Sequence, residues 1–205
     1  MKYLLIIPFL LSLTFYGQDE DFPNAHFKVS KKDSLKEQIK KYSKIIETNP
    51  KDVNAYYNRG ACKISLYTVA AKPDEYWEII EDFTKVIELN PNNAKAYFYI
   101  GLSESKLKYY KGAIQDYTKA IELNPKYDTA YYYRGRVKAA LGDDKGAIED
   151  YTKAIEFNPK YMEPYYYRGN LKYESVDKKE ACLDWLKAGE LGSASARSKI
   201  MKKCE

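Results

Sequence analysis

A ten-residue pattern recurs at a fixed interval along this 205-residue chain. Its clear copies occupy residues 82–91, 116–125 and 150–159, and a divergent copy occupies residues 42–50. The prolines that close the clear copies, Pro91, Pro125 and Pro159, are spaced 34 residues apart. Apolar residues inside the pattern follow helical periodicity. A fixed period of this length predicts a row of stacked helix pairs, because one pair alone cannot bury its apolar face.

Further landmarks repeat at the same interval. One unit has Tyr131, Gly135, Ala147, Tyr151, Ala154 and Pro159, and the preceding unit has Tyr97, Gly101, Ala113, Tyr117, Ala120 and Pro125. This arrangement resembles the tetratricopeptide repeat family, whose helix–turn–helix unit carries an aromatic residue, a glycine, two alanines and a proline at these places. The resemblance implies an all-α fold, a right-handed α-solenoid. Small residues are expected to let paired helices approach closely, and each Asn-Pro pair to end a helix with its Asn in the left-handed region.

The landmarks divide the chain into a solenoid with a cap at each end. Residues 50–191 hold four repeats, residues 33–49 form an N-terminal capping half-repeat, and residues 192–205 form a C-terminal capping helix closed off by Gly192. We expect the first cap to begin at residue 33, because Ser34 and Glu37 have the spacing of a capping box. Asp143 and Asp177 are expected to be N-caps.

The first repeat is longer than the others. Gly60 and Gly101 are 41 residues apart, seven more than the usual period. Seven residues are close to two helical turns, so we expect both helices of this repeat to gain one turn. Pro73 is then expected in the first turn of the second helix.

The N-terminal residues predict export. An apolar run at residues 4–16 follows Lys2, and it is too short for a membrane span but typical of a secretory signal peptide. We expect residues 1–17 to be removed and residues 18–32 to form a flexible lead-in. The mature chain would then have no membrane span and would be periplasmic or secreted. An uncleaved membrane anchor is the alternative.

Composition and motifs argue against an enzyme. The net charge of +5 is mild and evenly dispersed, and the chain has no recognition-helix or base-stacking motif, so nucleic acid is not expected as a partner. The sequence has no glycine-rich phosphate loop, no Cys or His pair with metal-ligand spacing, and a single histidine, His26. We therefore expect no catalytic residue, no metal and no cofactor.

An arginine recurs before the repeat glycine, and an aspartate recurs before the aromatic residue of the second helix. The arginines are Arg59, Arg134 and Arg168, and the aspartates are Asp82, Asp150 and Asp184. An ion pair between the two helices of each repeat would explain both recurrences. The second repeat keeps Asp116 but has Ile100 in place of the arginine.

The first helices are expected to line a concave groove. In the family that this chain resembles, peptides bind along the face of the first helices that points away from the helix pair. Helical angles place on this face Tyr57, Phe98, Tyr99, Tyr132, Tyr133, Arg136, Tyr166, Tyr167 and Asn170. Tyr132, Tyr166, Arg136 and Asn170 are expected to form the central contact patch, since Tyr131 and Tyr165 would already fill the packed position beside them. Packing of these rings between neighbouring repeats is the alternative.

Family members that grip a C-terminal carboxylate use Lys and Asn at set groove positions. The first repeat has Tyr57 and Ala61 there, so this clamp is not expected.

The sequence therefore predicts an exported scaffold that binds a protein or peptide partner in an aromatic groove. A carbohydrate or cell-wall binder is the first alternative, because rows of tyrosine also stack on sugar rings, and a structural assembly factor is the second. Cys182 lies ten residues before Gly192 and Cys204 lies twelve after it, so a helical hairpin would bring them together. We expect them to form a disulfide in an oxidising compartment, with Cys62 reduced and buried.

Overall fold

The computed structural model describes residues 25–67, 72–175 and 177–204. These residues form ten α-helices: α1 (Ala25–Thr48), α2 (Val53–Leu66), α3 (Pro73–Leu89), α4 (Ala94–Lys106), α5 (Tyr110–Leu123), α6 (Asp128–Ala140), α7 (Asp144–Phe157), α8 (Met162–Glu174), α9 (Lys178–Glu190) and α10 (Ala194–Lys203). Each helix packs mainly on the helices directly before and after it in the chain. This nearest-neighbour packing confirms an α-solenoid with four helix pairs, α2–α3 to α8–α9.

The N-terminal cap differs from the sequence expectation in where it begins. Helix α1 starts at Ala25 rather than at residue 33, so Ser34 and Glu37 lie inside the helix and do not form a capping box. The Ser34 hydroxyl instead accepts a hydrogen bond from Gln38, one turn later, at 3.4 Å. The expected signal peptide, residues 1–17, lies outside the described residues.

Short polar side chains set the helix ends. Asp143 and Asp177 accept hydrogen bonds from the backbone of α7 and α9, which confirms them as N-caps. Asn90, Asn124 and Asn158 end α3, α5 and α7, as expected, but their φ angles near −140° are extended. The left-handed expectation is therefore wrong for the asparagines. Each side-chain oxygen instead accepts from the backbone N–H two residues on, forming an Asx turn that leads into the next repeat.

The additional seven residues of the first repeat do not lengthen both helices by a turn. Helix α2 has 14 residues against 13 in α4, α6 and α8, and α3 has 17 against 14 in α5 and α7. The remainder therefore falls in the connection between α2 and α3. Pro73 is the first residue of α3, as expected, and the Glu75 carboxylate accepts from the Lys72 N–H at 2.7 Å.

Glycine allows the two helices of each repeat to touch. A Cβ at Gly135 would lie 2.9 Å from Tyr151 Cε1, and one at Gly169 would lie 2.8 Å from Trp185 Cδ1. Both rings are buried, at 1% and 0% exposure. The recurring glycine thus provides the space that the aromatic residue of the second helix fills.

The expected ion pairs are confirmed, and they also join neighbouring repeats. Arg134 donates from Nε and Nη2 to the Asp150 carboxylate at 2.9 and 2.7 Å, and from Nη1 to Thr118 Oγ1 of the preceding repeat at 3.0 Å. Arg168 makes the same contacts with Asp184 and Thr152, and Arg59 with Asp82 and Ser43. Each arginine therefore connects its own second helix to the preceding repeat or cap.

The C-terminal cap is tied to the last repeat. Gly192 has φ of +112° between α9 and α10, a backbone conformation that favours glycine. Cys182 of α9 and Cys204, which follows α10, form a disulfide with a Cα–Cα distance of 5.8 Å. Cys62 is free and buried in α2. None of the helices in the described ranges is both long and apolar enough to cross a membrane.

Candidate functional site

Two of the expected groove residues belong to the core. Tyr132 is 4% exposed and Phe98 is 6% exposed. The Tyr132 ring contacts the rings of Tyr151, Tyr161 and Tyr167, at centroid distances of 6.1, 5.1 and 5.9 Å. The placement of Tyr132 and Phe98 as open contact residues is therefore wrong.

The reason is the direction from which the next repeat packs. Tyr131, which was expected to fill the packed position, lies against Phe157 and the Arg134 guanidinium and remains partly exposed. Tyr132, one residue on, faces the following repeat through Tyr161 and Tyr167. Tyr132 is therefore the core residue and Tyr131 the partly exposed one, which is the reverse of the expectation.

The remaining aromatic groove residues are partly exposed. They are Tyr57, Tyr99, Tyr133, Tyr166 and Tyr167. Tyr99 stacks on Phe83 at 4.9 Å, and Tyr133 stacks on Tyr117 at 6.3 Å, so each ring packs at a junction between repeats and remains partly exposed. Through the buried rings of Phe98 and Tyr132, these residues form an aromatic row along the first helices.

Three hydroxyl groups of this row, those of Tyr57, Tyr99 and Tyr133, stay protonated well above neutral pH. Burial, with a smaller contribution from Tyr99, raises the pKa of Tyr57 to about 12. Burial also raises the pKa of Tyr99 and Tyr133. These three hydroxyl groups can therefore donate hydrogen bonds at any physiological pH.

Arg136 is a cation that has no carboxylate partner among the described residues. Its side chain is exposed, and its guanidinium carbon lies 4.9 Å from the centre of the Tyr167 ring and 5.9 Å from that of Tyr132. The tyrosine rings cover part of the guanidinium and oppose its charge by desolvation, but the interactions with Tyr132 and Tyr167 outweigh that effect and raise the pKa of Arg136. Among the described residues it forms no salt bridge, whereas Arg134, two residues earlier, binds Asp150.

Two lysines of the C-terminal cap extend this pattern. Lys199 Nζ lies 5.8 Å from the centre of the Tyr166 ring and 5.0 Å from that of Trp185, and Lys203 Nζ lies 4.3 Å from that of Tyr173. Tyr166 in turn packs edge-on against Tyr167, beside Arg136. We call this set the cationic end of the groove: Arg136, Tyr166, Tyr167, Tyr173, Lys199 and Lys203.

Sequence reasoning missed both lysines of the cationic end. Their spacing of four places Lys199 and Lys203 on one face of α10, and this was the available signal. The direction in which that face points depends on how α10 docks, which the sequence does not state.

Asn170 has a structural role. Its side-chain oxygen accepts a hydrogen bond from the Trp185 indole N–H at 3.0 Å, and Trp185 is fully buried. A buried indole N–H needs such a partner. Asn170 is therefore held by the last helix pair and is not a free groove residue as expected.

A second concavity lies between α6 and α7, where an open cleft of about 530 Å³ is lined by Tyr131, Arg134, Lys138 and Asp150. Arg134 and Lys138 both bind Asp150, so these two cations of the cleft already have a carboxylate partner. Across the described residues, His, Cys, Asp and Glu form no group of three or more that could hold a metal ion.

A family model described as TPR repeat matches residues 104–142 and 135–175. Residues 104–175 therefore match the tetratricopeptide repeat, and the same helix pairing continues on both sides of them. The crystal structure of MamA is similar over 86% of this chain and 99% of that chain, with a TM-score of 0.70 and 26% identity. Such repeat proteins bind protein or peptide partners and are typically non-enzymatic scaffolds.

Other solved structures share the fold at lower identity. MamA 41-end from Desulfovibrio magneticus RS-1 is 22% identical, with a TM-score of 0.68, over 80% of this chain and 89% of that one. YrrB, a TPR protein with an unusual peptide-binding site, is 21% identical, with a TM-score of 0.65, over 86% of this chain and 88% of that one. No curated protein sequence matches this chain.

Proposed function

We propose that this protein is an exported scaffold that binds an acidic segment of a partner protein at the cationic end of the groove. The observation that carries the proposal is that Arg136, Lys199 and Lys203 lie on tyrosine rings without a salt bridge to any described carboxylate. A cation held over an aromatic face keeps its charge and its donors available to a ligand. Carboxylate side chains of a partner could bind these cations and accept hydrogen bonds from the tyrosine hydroxyls beside them.

The proposed site is not the clamp with which some family members bind a C-terminal carboxylate in their first repeat. It lies at the opposite end of the solenoid, on α6, α8 and α10. The partner chemistry is an acidic side chain within a peptide, and the peptide-binding site of the structural neighbour YrrB supports a peptide as the ligand class.

Binding to acidic peptides tests this function. We expect Glu- and Asp-rich peptides to bind and their Gln and Asn counterparts to bind weakly, with affinity falling as salt is added. Arg136→Gln and Lys199→Gln should each weaken binding by about 1 kcal/mol or more. Lys145→Gln, at an exposed lysine of α7, is the matched control and should leave binding unchanged.

The alternative functions give different outcomes. Binding of neutral glycans in a glycan array, unaffected by salt, would favour the carbohydrate-binding function. Partner binding that none of the groove variants changes would favour an assembly role for the outer face.

Export is part of the proposal. The apolar run at residues 4–16 and the Cys182–Cys204 disulfide both support an oxidising compartment. We expect intact-mass measurement of the native protein to show a chain beginning near Gln18. Peptide mapping without reductant should recover the Cys182–Cys204 pair. Retention of Met1 in a cytosolic fraction, with all three cysteines as thiols, would contradict export.

A further inference from the structure

The second repeat lacks the cations that neutralise the buried aspartate in the other three repeats. In those repeats an arginine and a lysine of the first helix both bind the aspartate of the second: Arg59 and Lys63 on Asp82, Arg134 and Lys138 on Asp150, Arg168 and Lys172 on Asp184. The second repeat keeps Asp116 but has Ile100 and Glu104 at the two cation positions. Two carboxyl groups therefore face each other where two cations and one carboxylate belong.

The two groups are close and partly buried. The Asp116 side chain of α5 is within hydrogen-bonding contact of the Glu104 side chain of α4. Glu104 Oε2 is buried against α5, since a Cβ at Gly112 would lie 2.5 Å from it. No donor among the described residues binds this oxygen. Two carboxyl groups in hydrogen-bonding contact cannot both ionise without strong repulsion.

The neighbouring helices supply no compensating cation among the described residues. No described lysine or arginine forms a salt bridge with either carboxyl group, and this includes the nearby Lys106, Lys108 and Lys111. Other cations of the neighbouring helices are bound elsewhere: Lys85 to Glu88, Lys119 to Glu122, and Arg134 to Asp150 and Thr118. Asp82 of α3 is held by Arg59 and Lys63. Tyr117 of α5 directs its hydroxyl to Ser105 of α4 at 3.5 Å, and Arg136 of α6 lies over tyrosine rings.

We propose that the second repeat is a pH-sensitive joint in the solenoid, in which a proton shared by Glu104 and Asp116 holds α4 against α5 and loss of that proton loosens the pair. The proton lies on Asp116 and is donated to a Glu104 oxygen. It provides the donor that the arginine and lysine provide in the other repeats.

The direction of the pH effect follows from the two carboxyl groups. Burial, then the charge of Glu104, raises the pKa of Asp116 to about 7, and burial raises the pKa of Glu104. A carboxyl group with a raised pKa binds more protons in the closed form than in the open form. The closed form is therefore most favoured at low pH, and it loses stability as pH rises through about 7.

Loosening would reach the groove through α4. Phe98 and Tyr99 of this helix pack on Tyr133 of α6 and Phe83 of α3. In a solenoid each repeat depends on its immediate neighbours, so the disturbance would be greatest between α3 and α6. This inference does not depend on which ligand binds the groove.

Hydrogen exchange of the full chain, corrected for the intrinsic effect of pH, tests the joint. Between about pH 5.5 and about pH 8 we expect protection of α4 and α5 to fall by roughly tenfold or more, while α8 and α9 keep theirs. Glu104→Lys restores the lysine of the other repeats and should remove this fall. Glu149→Lys, at an exposed position of α7, is the matched control and should retain it.

Two results would overturn the proposal. One is equal protection of α4 and α5 at both pH values in the wild-type chain, and the other is an undiminished fall in Glu104→Lys. Carbon NMR titration of the Asp116 carboxyl group gives an independent measurement. A pKa near the ordinary value of 3.8 would also exclude the shared proton, and Glu104→Gln should bring the pKa down from its wild-type position.

Discussion

At the scale of single residues, Tyr132 shows how one position can combine core and groove character. Its ring is 4% exposed between two repeats, yet it lies 5.9 Å from the guanidinium carbon of Arg136. The ring therefore makes a cation–π contact with Arg136 but is too buried to contact a partner itself. Mutation at this position acts on stability first and on binding only through Arg136.

We predict that Tyr132→Ala lowers the free energy of unfolding by about 3–5 kcal/mol, because it removes a buried aromatic ring from a packed junction. Urea unfolding followed by circular dichroism measures this loss. Tyr109→Ala is the control, since Tyr109 is 55% exposed, and it should change stability by about 0.5 kcal/mol or less. A fully stable Tyr132→Ala variant that has lost peptide binding would instead restore Tyr132 as a contact residue.

At the scale of helices, the arginine of each repeat decides how neighbouring units are joined. Arg134 holds Asp150 within its repeat and Thr118 in the preceding one, and both charged side chains are largely buried, at 15% and 4% exposure. In the second repeat alone, Ile100 and Glu104 occupy the arginine and lysine positions, so this repeat lacks the ion pairs and the bond to the preceding repeat. The chain is thus uniform in backbone but not in how firmly its helix pairs are held.

We predict that Arg134→Gln costs about 3 kcal/mol of stability, because it leaves a buried aspartate with only Lys138 and removes the bond to Thr118. Lys153→Gln breaks an exposed ion pair with Glu156 and should cost about 0.5 kcal/mol or less. Chemical denaturation of the two variants compares them directly. Equal losses would show that the buried network does not join the repeats.

At the scale of the whole molecule, tyrosine recurs at the junctions between helices. The chain has 22 tyrosines, and burial raises the pKa of several that lie at successive junctions, including Tyr57, Tyr117, Tyr132 and Tyr151. A tyrosine whose pKa is raised on folding stabilises the native state at pH values below its pKa in the unfolded chain. That contribution is lost as the pH rises through the pKa of the tyrosine in the folded state.

We predict that the solenoid unfolds in alkali over the range set by Tyr57, from about pH 10 to about pH 12. Tyrosinate absorbance and loss of helical circular dichroism should then rise together, because buried rings ionise only when the junctions open. Ionisation of most tyrosines before any helix is lost would contradict this coupling.

The sequence by itself determined the period, the helix pairs, the capping aspartates and the arginine–aspartate pairs. These features depend on local spacing, since a recurring residue meets the same neighbours in every unit. The closing hairpin at Gly192 also followed from spacing, and in the structure it brings Cys182 and Cys204 together.

The tertiary structure alone decided which of two adjacent tyrosines is buried and which charges lack a partner. Tyr131 and Tyr132 carry the same side chain on the same helix, and only the direction of the following repeat separates their roles. Lys199 and Lys203 reach the groove because α10 docks against Trp185 and Tyr173. Glu104 and Asp116 meet because α4 and α5 pack in the same way as the other pairs while the cations are missing. Each outcome depends on how separate helices are oriented, and the periodicity of one helix does not contain that orientation.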